Sequence, residues 1–262
     1  MQLSDSDLQD LARAKRLLEH PGLAARIAAL AGKPIERTIA ALPGKVSSVI
    51  DEISRRAIGK ALDMALLTMD AGKPGPASDW WHKFAVGASG AAGGALGMAG
   101  LAVELPISTT IMLRSIADIA RSQGEDLTRP EARLECLHVL ALGGSSQDDD
   151  ATDAGYFASR AALAQAIASA SQYLAQHGAA KGSAPVLVKL ISEIASRFSI
   201  AVSEKALAQA VPVIGALGGG AINALFIDHF QDMGRGHFTV RRLERKYGRE
   251  AVEDAYRGLA RR

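Results

Sequence analysis

Residues 84–103, FAVGASGAAGGALGMAGLAV, run for 20 positions without a charge between Lys83 and Glu104. On a helix turning about 100° per residue, Gly87, Gly90, Gly93, Gly94, Gly97 and Gly100 gather on one face. Residues 206–227, ALAQAVPVIGALGGGAINALFI, repeat the theme over 22 uncharged positions between Lys205 and Asp228. Glycine has no side chain to hold a neighbour off, so such a face accepts another backbone laid directly against it. Each helical glycine also costs roughly 1 kcal/mol of propensity relative to alanine, which tertiary packing must offset. The expected fold is therefore all-α: a multi-helix bundle built around two Gly/Ala-rich apolar central helices. Gly87, Gly90, Gly94, Gly97, Gly215 and Gly219 are the expected packing positions.

The rest of the chain agrees with that class. Its 262 residues include 49 Ala and 26 Gly, and aromatic residues make up only 5%. Alanine is the strongest helix former, and small residues let helix axes approach. The composition excludes a β-sandwich, a barrel, collagen, disorder and a disulfide scaffold. A net charge of +2 from 30 basic and 28 acidic residues is too balanced for a partner bound through phosphate neutralisation, so no nucleic acid is expected. The single cysteine, Cys136, reads as a small buried hydrophobe. The polar, acidic N-terminus carries no basic and apolar leader, and a cytoplasmic location follows as the expectation. Both uncharged segments are also long enough for a bilayer's hydrocarbon, which takes about 20 residues. A membrane-inserting hairpin is thus the rival to buried core helices.

Helix punctuation divides the chain. Ser4 with Asp7 opens a first helix that stops at His20-Pro21-Gly22, and Pro43-Gly44 precedes a long amphipathic helix reaching about Asp70. Residues 1–44 read as an N-terminal helical cap and 45–262 as the main helical domain. Pro106 is expected to start the next helix, Thr128 and Glu131 to form a capping box, and Gly143-Gly144 to close the helix between them. An Ala-rich helix follows to His177, another begins at Pro185, and Gly234-x-Gly236 is expected to interrupt the chain before a basic C-terminal helix pair. Residues 235–262 hold nine basic and four acidic side chains, a composition suited to an anionic membrane face.

Charged groups at the segment ends are the candidates for chemistry. Glu104, Asp228, His229, Asp232 and His237 supply carboxylates and imidazoles. Parallel packing of the two apolar segments would bring Glu104 to Asp228 and His229. Asp228 and Asp232 are i,i+4, and His229 and Asp232 are i,i+3, spacings that place ligands on one face for a divalent metal. No repeated E-x-x-H and no H-E-x-x-H occurs, so no metal or other cofactor is assigned. The alternative for these charges is ion pairing: Arg114 with Asp118 at i,i+4, and Glu104 or Asp228 with Arg235, Arg241 or Arg242 across helices. The same basic and acidic side chains are the candidates for binding a partner. No nucleophile–base pair and no phosphate-binding glycine loop is found.

Four blocks carry a family resemblance. They are Glu104-Leu-Pro with the run from Thr109 through Arg114 to Asp126, Glu135-Cys-Leu-His-Val-Leu-Ala-Leu-Gly-Gly144, Gly155-Tyr-Phe-Ala-Ser-Arg160, and Val211 through Asn223 and His229 to Gly248. Together they resemble the EcsC family over about residues 45 to 256. The family takes its name from the third gene of a bacterial operon whose first two genes encode an ABC transporter's ATPase and permease. The resemblance implies an accessory role near membrane transport or secretion, and it brings no catalytic residue and no cofactor with it.

Three functions follow as expectations. The first is a non-enzymatic, all-helical accessory protein of the cytoplasm or inner membrane face, with ABC-transporter or secretion components and a membrane surface as partners. The second is a metal-dependent hydrolase or lipid- or peptide-modifying enzyme using the Glu/Asp/His set. The third is a binding protein whose glycine-lined groove takes an acyl chain or apolar peptide.

Overall fold

The computed structural model describes residues 3–19, 22–23, 25–27, 44–68, 97–144, 155–178, 184–210 and 219–259. Helices account for nearly all of them: α1 (Asp5–Leu18), α2 (Gly44–Thr68), α3 (Gly97–Ser122), α4 (Pro130–Leu142), α5 (Gly155–His177), α6 (Pro185–Ala210), α7 (Gly219–Tyr247) and α8 (Arg249–Gly258). No strand occurs among the described residues. The all-α multi-helix bundle is as the composition requires.

The hub of the bundle is α4, which packs against α2, α3, α5, α6 and α7. Eleven of its thirteen residues, Ala132 through Leu142, are buried. A helix covered on every side carries no polar face, yet this one includes Arg133, Glu135 and His138, so each polar side chain needs a partner inside the protein. Around α4, the long helices α2 and α3 pack together, α2 also packs on α6, and α7 lies against α3. Helix α1 lies across α7 and touches α8. Cys136 is wholly buried, and desolvation pushes its thiol far above the usual range, which leaves it unreactive.

Helix ends follow local chemistry, with several departures from the sequence expectation. Ser4 caps α1 as expected, its Oγ accepting from the Asp7 backbone N–H at 3.3 Å and donating to Asp7 Oδ2 at 2.7 Å. The Thr128–Glu131 capping box does not form. Thr128 instead donates its hydroxyl and its backbone N–H to Asp126 Oδ1 (2.7 and 3.0 Å), and Arg129 occupies the N-cap with Pro130 as the first helical residue. Pro106 does not start α3 but lies inside it. It withholds one N–H from the helix. At Gly124 (φ +80°) the chain leaves α3 through a left-handed turn, with the Glu125 N–H reaching back to the Ala120 carbonyl at 3.0 Å. That turn directs Glu125 toward α7.

The pair Gly234-x-Gly236 does not interrupt anything: α7 runs continuously from Gly219 to Tyr247. A Cβ at Gly236 would lie 2.6 Å from Leu18 Cγ and 3.1 Å from the Ala14 carbonyl oxygen, so this glycine exists for the crossing of α1 over α7. Of the two apolar segments, the first enters the described residues only as the start of α3. The second is described only at its two ends, 206–210 at the end of α6 and 219–227 at the start of α7, and residues 211–218 lie outside the described residues. Gly87, Gly90, Gly94 and Gly215 lie outside the described residues; Gly97 and Gly219 are the first residues of α3 and α7.

Candidate functional site

The polar residues of α4 define the site. Glu135 and His138 are three apart on a helix, so their side chains share one face, and α7 packs against α4. His138 Nδ1 lies 3.1 Å from Glu135 Oε2, and His237 Nε2, from α7, lies 3.0 Å from the same oxygen. Tyr156, at the start of α5, brings its hydroxyl to 2.9 Å from His237 Nδ1. One turn beyond His237, Arg241 places Nη1 3.1 Å from Glu135 Oε1 and donates Nε to Glu125 Oε1 at 2.8 Å. One turn beyond Tyr156, Arg160 grips Glu244 through two bonds of 2.7 and 2.9 Å. Its guanidinium lies 5.4 Å from the Tyr156 ring centroid. The two i,i+4 steps thus lay a row of alternating charge beside the histidines.

Burial sets the protonation states. Desolvation alone raises the Glu135 carboxyl, but hydrogen bonds from His138 and His237 outweigh it and hold the group well below the carboxylate range. His237 is pulled down to about 3 by burial, against the opposing pull of Glu135. Burial likewise pushes the Tyr156 hydroxyl up. The network then has one consistent assignment. Tyr156 donates to His237 Nδ1, His237 donates from Nε2 to Glu135, and His138 donates from Nδ1 to the same carboxylate oxygen. That leaves His138 Nε2 buried with no hydrogen-bond partner. A polar atom in that position costs about 1–3 kcal/mol.

The arrangement is one carboxylate with two imidazoles, a nitrogen–nitrogen–oxygen donor set. One ligand atom from each of Glu135, His138 and His237 lies within 4.8 Å of the other two, and all three residues are buried. Among the described residues, this is the one such group of His, Cys, Asp and Glu. The His138 and His237 side chains are 2% and 0% exposed, and that of Glu135 11%.

Of the residues singled out from sequence, only His237 belongs to this cluster, with Arg241 bonded to its edge. Glu104 meets Lys205 of α6 at 2.6 Å rather than Asp228 or His229. Those two charges bound the apolar segments, so the residue that follows the first segment touches the residue that precedes the second. Asp228 is exposed. His229 is buried, its Nε2 donating to the Gly143 carbonyl at 2.8 Å, and desolvation lowers its pKa. Asp232 pairs with Arg26 (3.0 Å) and Arg235 (2.9 Å).

The Arg114–Asp118 pair is not formed; Asp118 accepts from Arg121 at 2.7 Å, and Arg114 lies half-buried on α3. The basic helix pair is not a free cationic surface either. Arg242 bonds Asp10 at 2.6 Å, Lys246 bonds Asp7 at 2.8 Å, and both Arg241 and Arg245 bond Glu125. Acidic groups of α1 and of the turn after α3 pair with these four.

Glu135 and His138 were missed because no second E-x-x-H accompanies theirs in the sequence. The signal that points to them is Glu135-Cys-Leu-His138 itself, a single E-x-x-H in a helix with no polar face. It becomes a three-residue set only when α7 supplies His237.

No curated protein and no solved structure matches the chain. The model of the EcsC protein family matches residues 77–243, which take in α3 to α6, most of α7 and every residue of the buried cluster. Because that match covers more than half of the sequence, the chain belongs to the EcsC family.

Proposed function

We propose that the protein is a non-enzymatic helical accessory factor that docks on the cytoplasmic face of a membrane, beside transport or secretion machinery. The observation that carries this reading is the N-terminal end of α3. Gly100–Ser122 is, among the described residues, the one stretch long and apolar enough to cross a bilayer, and half of its most apolar window is buried in the bundle. Its burial suits a core helix: Leu101 and Leu105 are buried, whereas the opposite face of the same turns is exposed. Val103 (68% exposed) and Ile107 (41%) are i,i+4 on one face, with Ala102 exposed beside them. Two apolar side chains at the end of an uncharged segment favour shallow insertion among headgroups. Most of the described basic side chains of the C-terminal helices pair with acidic groups, so attraction to anionic lipid is a minor contribution.

Vesicle flotation tests the reading. Burying a valine or isoleucine contributes about 1.5–3 kcal/mol, so Val103→Glu with Ile107→Glu lowers the membrane-bound fraction at least roughly tenfold. Wild-type binding persists in high salt and on zwitterionic vesicles. A wild-type chain that stays soluble at low salt with both vesicle types refutes the membrane role.

A further inference from the structure

We propose that Glu135, His138 and His237 bind one divalent transition-metal ion through two imidazole nitrogens and one carboxylate oxygen, as a sealed site within the bundle. The proposal is independent of membrane docking and uses none of the residues that carry it. Three observations support it.

The first is convergence. Two imidazoles from different helices approach the same oxygen, Glu135 Oε2, at 3.1 and 3.0 Å. Ligands of one tetrahedral ion with bonds of about 2.0–2.1 Å are separated by roughly 3.3–3.4 Å, so each imidazole nitrogen already stands within a few tenths of an ångström of that spacing from the carboxylate oxygen, and all three ligand atoms lie within 4.8 Å of one another. Arg241 holds Oε1 at 3.1 Å and leaves Oε2 as a single, directed ligand atom. The second is orientation from outside the set. The Tyr156 hydroxyl contacts His237 Nδ1 at 2.9 Å, the outer-shell contact that fixes the ring of a metal-bound histidine. On binding, the His237 proton moves from Nε2 to Nδ1, and the Tyr156 oxygen accepts where it had donated. The third is His138 Nε2, buried with no hydrogen-bond partner. When His138 Nδ1 binds the ion, its proton moves to this free Nε2, so the ring coordinates without displacing a hydrogen bond at its other nitrogen.

The donor set selects the ion. Two nitrogens and one carboxylate suit zinc, iron, manganese, cobalt or nickel rather than calcium or magnesium, which take oxygen ligands. Cys136 is adjacent in sequence but is not among the converging ligand atoms, so no sulfur ligand is expected. Because the ligands are buried, the ion enters while the chain folds.

The test uses the full, tag-free chain refolded with Zn(II), Mn(II), Fe(II) or Co(II) alone, followed by dialysis, elemental analysis and Co(II) absorption. The expected result is about one ion per chain with the visible bands of a nitrogen–oxygen site. Glu135→Gln, His138→Gln and His237→Gln each bring occupancy to background, while exposed His177→Gln leaves it unchanged. If those three variants do not fold, the Co(II) protein still decides: paramagnetically shifted ring protons from two histidines sustain the assignment. No stoichiometric metal with any ion, retention of metal by the folded cluster variants, shifted resonances from fewer than two histidines, or a sulfur-to-cobalt band overturns it.

Discussion

Gly144 lies where α4 ends and the backbone of α6 passes closest. A Cβ placed there would fall 2.5 Å from the Arg197 carbonyl carbon, closer still to its oxygen, and 3.3 Å from the Phe198 nitrogen. Carbon–carbon contact settles at about 3.5–4.0 Å, so Gly144→Ala requires the two backbones to part by roughly 1 Å or more. No flexible side chain can yield instead, because the obstructing atoms belong to a helix backbone. Overpacking of this kind costs about 1–3 kcal/mol, occasionally more.

A second cost comes from Phe198, whose ring packs at a tilt against Phe226 and Phe230 at centroid distances of 6.0 and 5.5 Å. Such aromatic pairs contribute about 0.5–1.5 kcal/mol each. We expect Gly144→Ala to lose about 3–4 kcal/mol in all, which lowers Tm by roughly 6–16 °C for a chain of this size. Gly144 does not have positive φ, so alanine meets no backbone penalty and the loss reports packing alone.

Gly59→Ala is the internal control. It sits inside α2 with nothing within 4 Å of the added methyl, and it should gain up to about 1 kcal/mol of helix propensity. Urea and thermal unfolding followed by far-UV circular dichroism give both values. A Gly144→Ala protein within about 1 kcal/mol of wild type refutes the close approach of α4 and α6.

Two further outcomes rest on buried charge. Removing Glu244 strands the Arg160 guanidinium, whose side chain is 12% exposed, so Glu244→Ala should destabilise by about 3–5 kcal/mol, whereas Arg160→Met with Glu244→Leu should recover most of it. A single-variant loss below about 1 kcal/mol in urea titration would show that the pair is solvated. Burial lowers the His229 pKa, so below about 6.5 the unfolded chain binds a proton that the folded chain refuses. Its contribution is complete above that pH and declines as the pH falls toward the folded value, at up to about 1.4 kcal/mol per pH unit. Urea midpoints of wild type and His229→Gln, compared between neutral pH and about pH 5, should converge as the pH falls. A difference that stays constant or widens refutes the buried, neutral imidazole.

The sequence determined the helical class, the main helix boundaries and the family, because these depend on local properties. Alanine content, 3.6-residue periodicity and capping chemistry act within a few residues of one another. It also marked Glu104 and Lys205 as boundary charges, but their pairing across 101 positions is a tertiary fact. The same holds for Gly143-Gly144. Their sequence position reads as a helix stop, yet their lack of side chains makes room for Phe230 and for the backbone of α6.

Local pattern was least informative at α4. Its Arg133, Glu135 and His138 read as a half-polar helix until five neighbours close around it. Periodicity reports which side chains share a face; it cannot report what stands opposite that face. Whether a carboxylate and an imidazole meet water or a second imidazole 102 residues away depends on how helices pack. Only the packing of α7 on α4 turned Glu135, His138 and His237 into a site.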